Sequence, residues 1–169
     1  EIRGGRTYDL ILSNPPFGNM SEDEIYWGHE NEDKEFSALR CKRYESEMVL
    51  ANINLAHDNS VLVFILPITF VNGESYMKAR KQIARRFAIL EIIELPTDAF
   101  EGSNLKTVAI IMKKTETNES TNYRKATLKN NVWKFNLVKK ISGIEVKKGN
   151  WLGEKIKETK IQIKRGNIH

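Results

Sequence analysis

The groups best suited to chemistry in this chain are concentrated in residues 13–18, Ser-Asn-Pro-Pro-Phe-Gly. An exocyclic amine on a planar base is a weak nucleophile because its lone pair is delocalised into the ring. Two fixed acceptors that hold its hydrogens favour a localised lone pair, and the side-chain oxygen of Asn14 and the carbonyl oxygen of Pro15 suit this role. The consecutive prolines stiffen the corner, which provides preorganisation. The ring of Phe17 offers a flat surface on which a base can stack.

The same residues also fit a purely structural turn, in which Asn14 caps the turn and Phe17 joins the core, because Pro-Pro pairs are common in turns. An apolar strand predicted over residues 8–13 and the trailing Gly18 favour the chemical interpretation. Since neither proline can donate to a ladder, the strand must stop at this corner. Asn14 and Phe17 then project beyond its carboxyl end, where ligands bind in open α/β sheets.

The elements that must position this corner follow from hydrophobic periodicity. Further strands are predicted over residues 60–67, 89–95 and 107–114, helices over 44–57 and 74–87, and a long polar loop with one short helical turn over 18–42. In the first helix Met48, Ala51, Asn52 and Leu55 share one face, with Val49, Ile53 and Ala56 beside them at helical spacing. In the second, Met77, Ile83, Ala84 and Phe87 are expected to face the sheet, and Lys78, Arg80, Lys81, Arg85 and Arg86 to face water. Eleven residues separate the last two strands, too few for a helical crossover, so these strands pair antiparallel or flank another strand.

Size and composition indicate one domain, or one and a part. The chain has 169 residues, of which 40% are hydrophobic, and no apolar run is long enough to cross a bilayer. No signal peptide is visible, and a start without Met suggests a piece of a longer protein. Cys41 is the single cysteine, which excludes an internal disulfide and fits a reducing cytoplasm. The three histidines are scattered, with no metal-ligand spacing.

Charge divides the chain unevenly. Residues 1–112 carry 12 Lys or Arg and 17 Asp or Glu, a net charge of −5, whereas residues 113–169 carry 15 and 5, a net charge of +10. The basic part is predicted to begin with a polar linker, continue in short strands over 123–128 and 132–138, and start another element at Trp151. Such a segment suits contact with a polyanion, although a solvated lysine-rich surface is the plain alternative.

The order of motifs resembles the bacterial restriction-modification methylases, above all the N6-adenine DNA methyltransferases. The residues that carry the resemblance are Tyr8-Asp9, Asn14–Gly18, Leu66-Pro67, Phe70, Arg80, Leu95-Pro96, Phe100 and Lys106-Thr107. It implies an α/β fold that is the C-terminal half of a Rossmann-like class I methyltransferase sheet, with the last strand antiparallel, followed by a small basic β-containing extension. The implied domains are a partial catalytic domain over 1–115, a linker over 116–122 and the extension over 123–169. The extension resembles the start of a target-recognition domain, and a frayed basic tail fits it equally well.

The resemblance also implies roles for residues. A flipped adenine would stack on Phe17 and give its N6 hydrogens to the side chain of Asn14 and the carbonyl of Pro15. Asn14 and Pro16 lie where relatives approach the cofactor, S-adenosylmethionine. Phe100 and Lys106 match substrate-contacting positions, although Phe100 fits the core equally well. The implied partners are DNA and a specificity or restriction subunit or domain, with no membrane partner.

One expected part is missing. Relatives hold the cofactor on a glycine-rich turn and an acidic residue, and no Gly-x-Gly occurs here. Most of that site is expected upstream of residue 1. We therefore expect this segment alone neither to bind S-adenosylmethionine tightly nor to methylate DNA. Half a sheet also leaves an open edge, so self-association of the segment is expected to be possible.

Two other functions remain open from sequence alone. The Asn-Pro-Pro-aromatic pattern also serves methyltransferases that act on glutamine in release factors or on amines in rRNA. Those enzymes usually end soon after the last strand, whereas this chain continues with a basic extension. The second alternative is a non-catalytic DNA-binding or interaction module in which the motif is vestigial.

Overall fold

A six-stranded sheet organises the molecule in the computed structural model, which describes residues 5–24, 34–100 and 104–153. Its strands are β1 (Tyr8–Ser13), β2 (Ala56–Pro67), β3 (Phe87–Glu94), β4 (Thr107–Lys114), β5 (Ser120–Lys129) and β6 (Val132–Ser142). They lie in the order β1-β2-β4-β3-β5-β6. The pairs β1–β2 and β3–β5 are parallel, whereas β4 runs antiparallel to β2 and β3, and β6 to β5.

Short helices cover one face of this sheet. They are α1 (Tyr44–Ile53), α2 (Thr69–Asn72), α3 (Met77–Ile83) and α4 (Gly143–Lys147), with 3₁₀ turns at Lys34–Leu39 and Glu74–Tyr76. Their apolar side chains form one core with the inward residues of the strands, such as Leu62, Ile110 and Ile92. Among the described residues, no helix is long and apolar enough to cross a membrane.

The opposite face of the sheet, which we call the open face, is not covered by any described helix. Leu10 and Leu12 of β1 are 57% and 69% exposed, although leucines at strand centres usually lie buried. The register aligns Leu12 with Val63 and Val63 with Ile111, both only half-buried. An apolar stripe therefore crosses the open face from the β1 edge toward the middle of the sheet.

The predicted strands agree well with the structure. β1 and β4 have the predicted bounds, and β4 lies between β2 and β3 as an antiparallel strand. This placement satisfies the short connection between β3 and β4, because antiparallel neighbours need no crossover helix. The predicted loop over 18–42 contains its one short turn at Lys34–Leu39, and residues 25–33 of that loop lie outside the described residues.

The helix predictions were less accurate. Helix α1 ends at Ile53, and its buried apolar residues are Val49, Leu50 and Ile53. Val49 and Ile53 belong to the predicted neighbours of the Met48 face, whereas Met48 and Ala51 themselves are only half-buried. The helix predicted over 74–87 is instead a 3₁₀ turn followed by α3, and Phe87 already starts β3. One side of α1 buries the polar residues Glu45 and Ser46 in place of apolar ones, so hydrophobic periodicity alone does not define the buried side of this helix.

Arg80 was predicted to face water, and that prediction was wrong. Its side chain is only 2% exposed. Its Nε donates to the carbonyl oxygen of Gly149 at 2.7 Å, and Nη1 donates to those of Phe70 and Gly73 at 3.0 and 2.8 Å. Burial lowers the pKa of Arg80 to about 10, so the guanidinium stays charged at neutral pH. Its hydrogen bonds connect α3 to the turns around it.

The predicted linker is partly structured. Ser120–Asn122 belong to β5, and the buried Thr121 hydroxyl donates to the carbonyl oxygen of Ile89 at 2.5 Å. The sheet therefore continues across the predicted boundary, and the division into domains stays a prediction. Trp151 lies in a buried turn after α4. The part of the predicted extension beyond residue 153 lies outside the described residues.

Candidate functional site

The predicted corner lies at the carboxyl end of β1, as expected. Asn14 and Pro16 are exposed, Pro15 is buried and Phe17 is half-buried. The buried ring of Pro15 fixes the backbone, and the Asn14 side chain remains accessible beside it. The corner can therefore receive a ligand without rearrangement of the core.

Gly18 closes the corner and connects it to helix α1. Its φ of +126° is strained for any residue with a side chain. Its N–H donates to Glu45 Oε2 at 3.0 Å, and its carbonyl oxygen accepts from the N–H of Tyr44 at 2.9 Å. Asn19 and Arg43 extend this contact as an isolated antiparallel bridge. The β1 ladder and the start of α1 thus hold the corner from both sides.

Glu45 is the residue that sequence reasoning missed. It is fully buried, and its Oε1 accepts from Tyr76 Oη and Arg43 Nε, both at 2.7 Å. Burial raises the pKa of Glu45, but the hydrogen bonds from Tyr76, Arg43 and Gly18 outweigh it and leave the pKa below its ordinary value. An acidic residue in the first helical turn is common because it interacts favourably with the helix dipole, so residue type and position alone do not indicate this role.

The state of Glu45 predicts a pH dependence of stability. Because its pKa is lower in the folded than in the unfolded chain, ionised Glu45 stabilises the fold above about pH 4.5, and this contribution is lost as pH falls through the folded-state pKa. We expect Glu45→Gln to be less stable than wild type at pH 6–7, with the difference shrinking toward pH 3.

Denaturant unfolding of both proteins across that range measures the effect. The matched control is Glu74→Gln, which changes an exposed carboxylate in the 3₁₀ turn before α3. A constant difference between Glu45→Gln and wild type at every pH would contradict the assignment.

Phe100 and Lys106, the other predicted site residues, lie within the connection between β3 and β4. Phe100 is half-buried and Lys106 is exposed. The Lys106 carbonyl oxygen accepts from Ile68 N–H at 2.9 Å, and that of Thr107 accepts from Leu95 N–H at 3.0 Å. These bonds place the connection at the same end of the sheet as the carboxyl end of β1. Lys106 precedes β4, which is two strand positions from β1, a lateral distance of about 10 Å.

An open cleft of about 560 Å³ adjoins the corner at Pro16. Its other lining residues are Met20, Asp23, Glu24, Tyr44, Glu47 and Met48. This volume is within the range of about 300–1,000 Å³ that small-molecule sites occupy. A second cleft of about 570 Å³ lies away from the corner, at the opposite end of the strands, beside residues 53–59 and 114–116. In the described ranges no group of three or more His, Cys, Asp or Glu side chains could hold a metal ion.

Solved structures identify the class of this fold. A chain of a type I restriction-modification system superposes with a TM-score of 0.60 at 17% identity, covering 83% of this chain and 27% of that one. The methyltransferase subunit of a type I system from Streptococcus thermophilus gives a TM-score of 0.57 at 22% identity, covering 79% and 30%. A class I S-adenosylmethionine-dependent methyltransferase from Listeria monocytogenes gives 0.50 at 18%, covering 66% and 33%. The fold is that of the class I methyltransferases.

The family follows from sequence. Residues 1–100 match the family described as Eco57I restriction-modification methylase, and this chain belongs to that family. A protein of Methanocaldococcus jannaschii named as a type II restriction enzyme and methyltransferase is 30% identical over 110 residues. That match covers 63% of this chain and 9% of the relative, so this chain spans only a small part of that relative's length. Both comparisons confirm the restriction-modification methylase family predicted from the motif order.

Proposed function

We propose that the Asn14–Pro15 corner binds the N6 amine of an adenine extruded from DNA and activates it for methylation. The observation that carries the proposal is the exposed Asn14 side chain beside the buried, rigid Pro15 at a strand end that is anchored on both sides. A stacked base cannot reach such a corner, so the adenine must leave the duplex. The half-buried ring of Phe17 supplies a surface to replace the lost stacking.

The chain's own groups account for the acceptor side of the reaction. Asn14 Oδ1 and the Pro15 carbonyl oxygen each accept one N6 hydrogen, which orients the nitrogen lone pair away from both oxygens. When bound, S-adenosylmethionine supplies an electrophilic methyl group with a neutral thioether as the leaving group. N6 would gain this methyl group as the methyl–sulfur bond is given up to the departing thioether, and the methylated amine would then lose its extra proton to solvent. No strong base is required, and residues 13–19 contain none.

The cofactor contacts that this chain provides are limited. Pro16 lines the 560 Å³ cleft, and its apolar ring with the neighbouring Met20 and Met48 suits an apolar part of the cofactor. The carboxylates of Asp23 and Glu24 on the same cleft suit its positive charge. Asn14 lies in the same corner as Pro16 and is the second proposed cofactor contact. We propose that most of the remaining cofactor contacts come from a glycine-rich segment outside this chain. The 169-residue chain alone would then be inactive.

Phe100 and Lys106 complete the proposed adenine site. They lie on the connection that reaches the same end of the sheet as Asn14. There, Phe100 would contact the edge of the extruded base, and Lys106 would contact a phosphate. DNA is therefore the proposed substrate. A specificity or restriction subunit or domain is a further proposed partner, since the fold neighbours include chains of type I restriction-modification systems.

Product analysis tests this function. The complete methyltransferase containing this chain is incubated with methyl-labelled S-adenosylmethionine and, in parallel reactions, with DNA, rRNA or a release factor. The DNA is then digested to nucleosides. We expect the label in N6-methyladenine. Label in N4-methylcytosine would contradict the choice of base. Label only in a protein glutamine or in rRNA would overturn the choice of DNA, and no label in any acceptor would favour a non-catalytic module.

A further inference from the structure

The hairpin formed by β5 and β6, which we call the arm, extends well past the body of the sheet. The register aligns Ser13 with Phe64, Ile110, Ile92 and Tyr123 in one row across the strands. β3 pairs with β5 only as far as Lys125. Residues 126–129 pair with residues 132–135, and none of them pairs with another described strand. The arm turns at Asn130 and Asn131, whose positive φ angles of 51° and 60° suit a two-residue hairpin turn.

The arm rises on the same side of the sheet as the proposed active site. β5 is parallel to β3, so its carboxyl end points the same way as the ends of β1, β2 and β3. Lys129 lies six residues beyond Tyr123, a distance of about 20 Å at roughly 3.3 Å per residue. Four strand spacings separate β1 from β5, which is a lateral distance of about 19 Å. With the adenine in the corner, this lateral distance corresponds to roughly six base-pair steps along the duplex.

The two faces of the arm differ in chemistry. Between Ser120 and Ser142 there are six Lys or Arg and no Asp or Glu. The cross-strand register places one set of residues on each face. The lysine face carries Lys125, Lys129, Lys134 and Lys139. The aromatic face carries Ala126, Leu128, Trp133, Phe135 and Leu137, with the other two basic residues, Arg124 and Lys140, at its base.

The lysine face is available to a polyanion. All four lysines are exposed. Lys125 lies 3.9 Å from Glu94 Oε2, whereas Lys129, Lys134 and Lys139 form no ion pair with any described residue. Among the described residues, no carboxylate therefore neutralises the charges of Lys129, Lys134 and Lys139. Lysine acts on phosphates as a point charge and releases condensed counterions when it binds DNA.

We propose that the lysine face of the arm binds the phosphates of the duplex beside the methylated adenine. This inference rests on the proposed DNA substrate. Phosphate contacts position a protein on DNA without reading its sequence, so the arm holds the duplex while other parts choose the site. The aromatic face is directed differently, since it continues the open face of the sheet. Its Trp133 and Phe135 rings stack on each other, with centroids 6.2 Å apart.

The test replaces Lys125, Lys129, Lys134 and Lys139 together with glutamine in the complete methyltransferase. Four other exposed or half-exposed basic residues, replaced as K78Q/K81Q/R85Q/K147Q, give a control with the same change in charge. DNA affinity is measured by fluorescence anisotropy over a salt series. We expect the slope of log K against log salt to fall by about 3–4 for the arm variant and affinity near 0.1 M salt to fall more than about tenfold. The control slope should change by less than about one, and the methylated position should not change in either variant.

The outcomes separate this inference from the proposed function. If wild type methylates adenine and the arm variant keeps the wild-type slope, the arm assignment is wrong and the proposed function stands. If Trp133→Ser/Phe135→Ser weakens DNA binding while the lysine variant does not, the aromatic face is the DNA contact and the inference is overturned. If wild type neither binds nor methylates DNA, the proposed function fails and the arm inference fails with it.

Discussion

Replacing Asn14 with alanine is expected to lower the rate of methyl transfer by about 100- to 1,000-fold, the range found when one preorganised hydrogen-bonding group is removed from an active site. The variant keeps the Pro15 carbonyl oxygen but loses the acceptor for the second N6 hydrogen. Because Asn14 is exposed and forms none of the bonds that anchor the corner, stability should change by less than about 0.5 kcal/mol. Single-turnover methylation with saturating cofactor measures the chemical step.

Asn19→Ala is the matched control for this experiment. Asn19 is also exposed and lies only five residues further along, where its side chain accepts from Arg43 at 3.3 Å. Its loss should change the rate by less than about threefold, since it contacts none of the proposed reacting atoms. Equal rates for Asn14→Ala and wild type would show that the motif is only structural.

Replacing Arg80 with alanine is expected to destabilise the fold by about 3–5 kcal/mol. The change leaves the carbonyl oxygens of Phe70, Gly73 and Gly149 without their buried donor. Lysine cannot substitute, because one ammonium group does not reproduce the fork that spans three acceptors. Hydrogen exchange of peptides covering residues 69–83 and 143–151 reports the free energy of local opening in the complete protein.

Arg85→Ala gives the comparison for Arg80. Arg85 is exposed just beyond the end of α3, and its loss should change the opening free energy by less than about 0.5 kcal/mol. If the two variants gave the same exchange profile, the three hydrogen bonds of Arg80 would contribute little to stability.

The strands and the corner could be predicted from sequence because each has a local signal. The unbroken aliphatic run of β4 predicted both of its ends. The prolines after Ser13 likewise predicted where β1 stops and which side chains it presents. The motif order around them predicted the family. These features depend on residue type and spacing, not on distant contacts.

Residues whose role depends on distant partners could not be predicted. Arg80 lies in a basic cluster that is typical of a solvated helix, and its burial depends on Gly149, 69 residues away. Glu45 resembles an ordinary helix-start carboxylate, and its partners Gly18 and Tyr76 lie 27 and 31 residues away. In the arm, alternation of residue types predicted two strands. It did not predict that they extend past the end of the sheet, because that depends on how far β3 pairs with β5.

The structure of the complete methyltransferase with target DNA and an unreactive cofactor analogue tests the central claim most directly. The account predicts the adenine outside the duplex against Phe17, with N6 about 2.7–3.2 Å from both Asn14 Oδ1 and the Pro15 carbonyl oxygen. An adenine whose amine is bound elsewhere, or that remains stacked while the enzyme is competent to methylate it, would contradict the account.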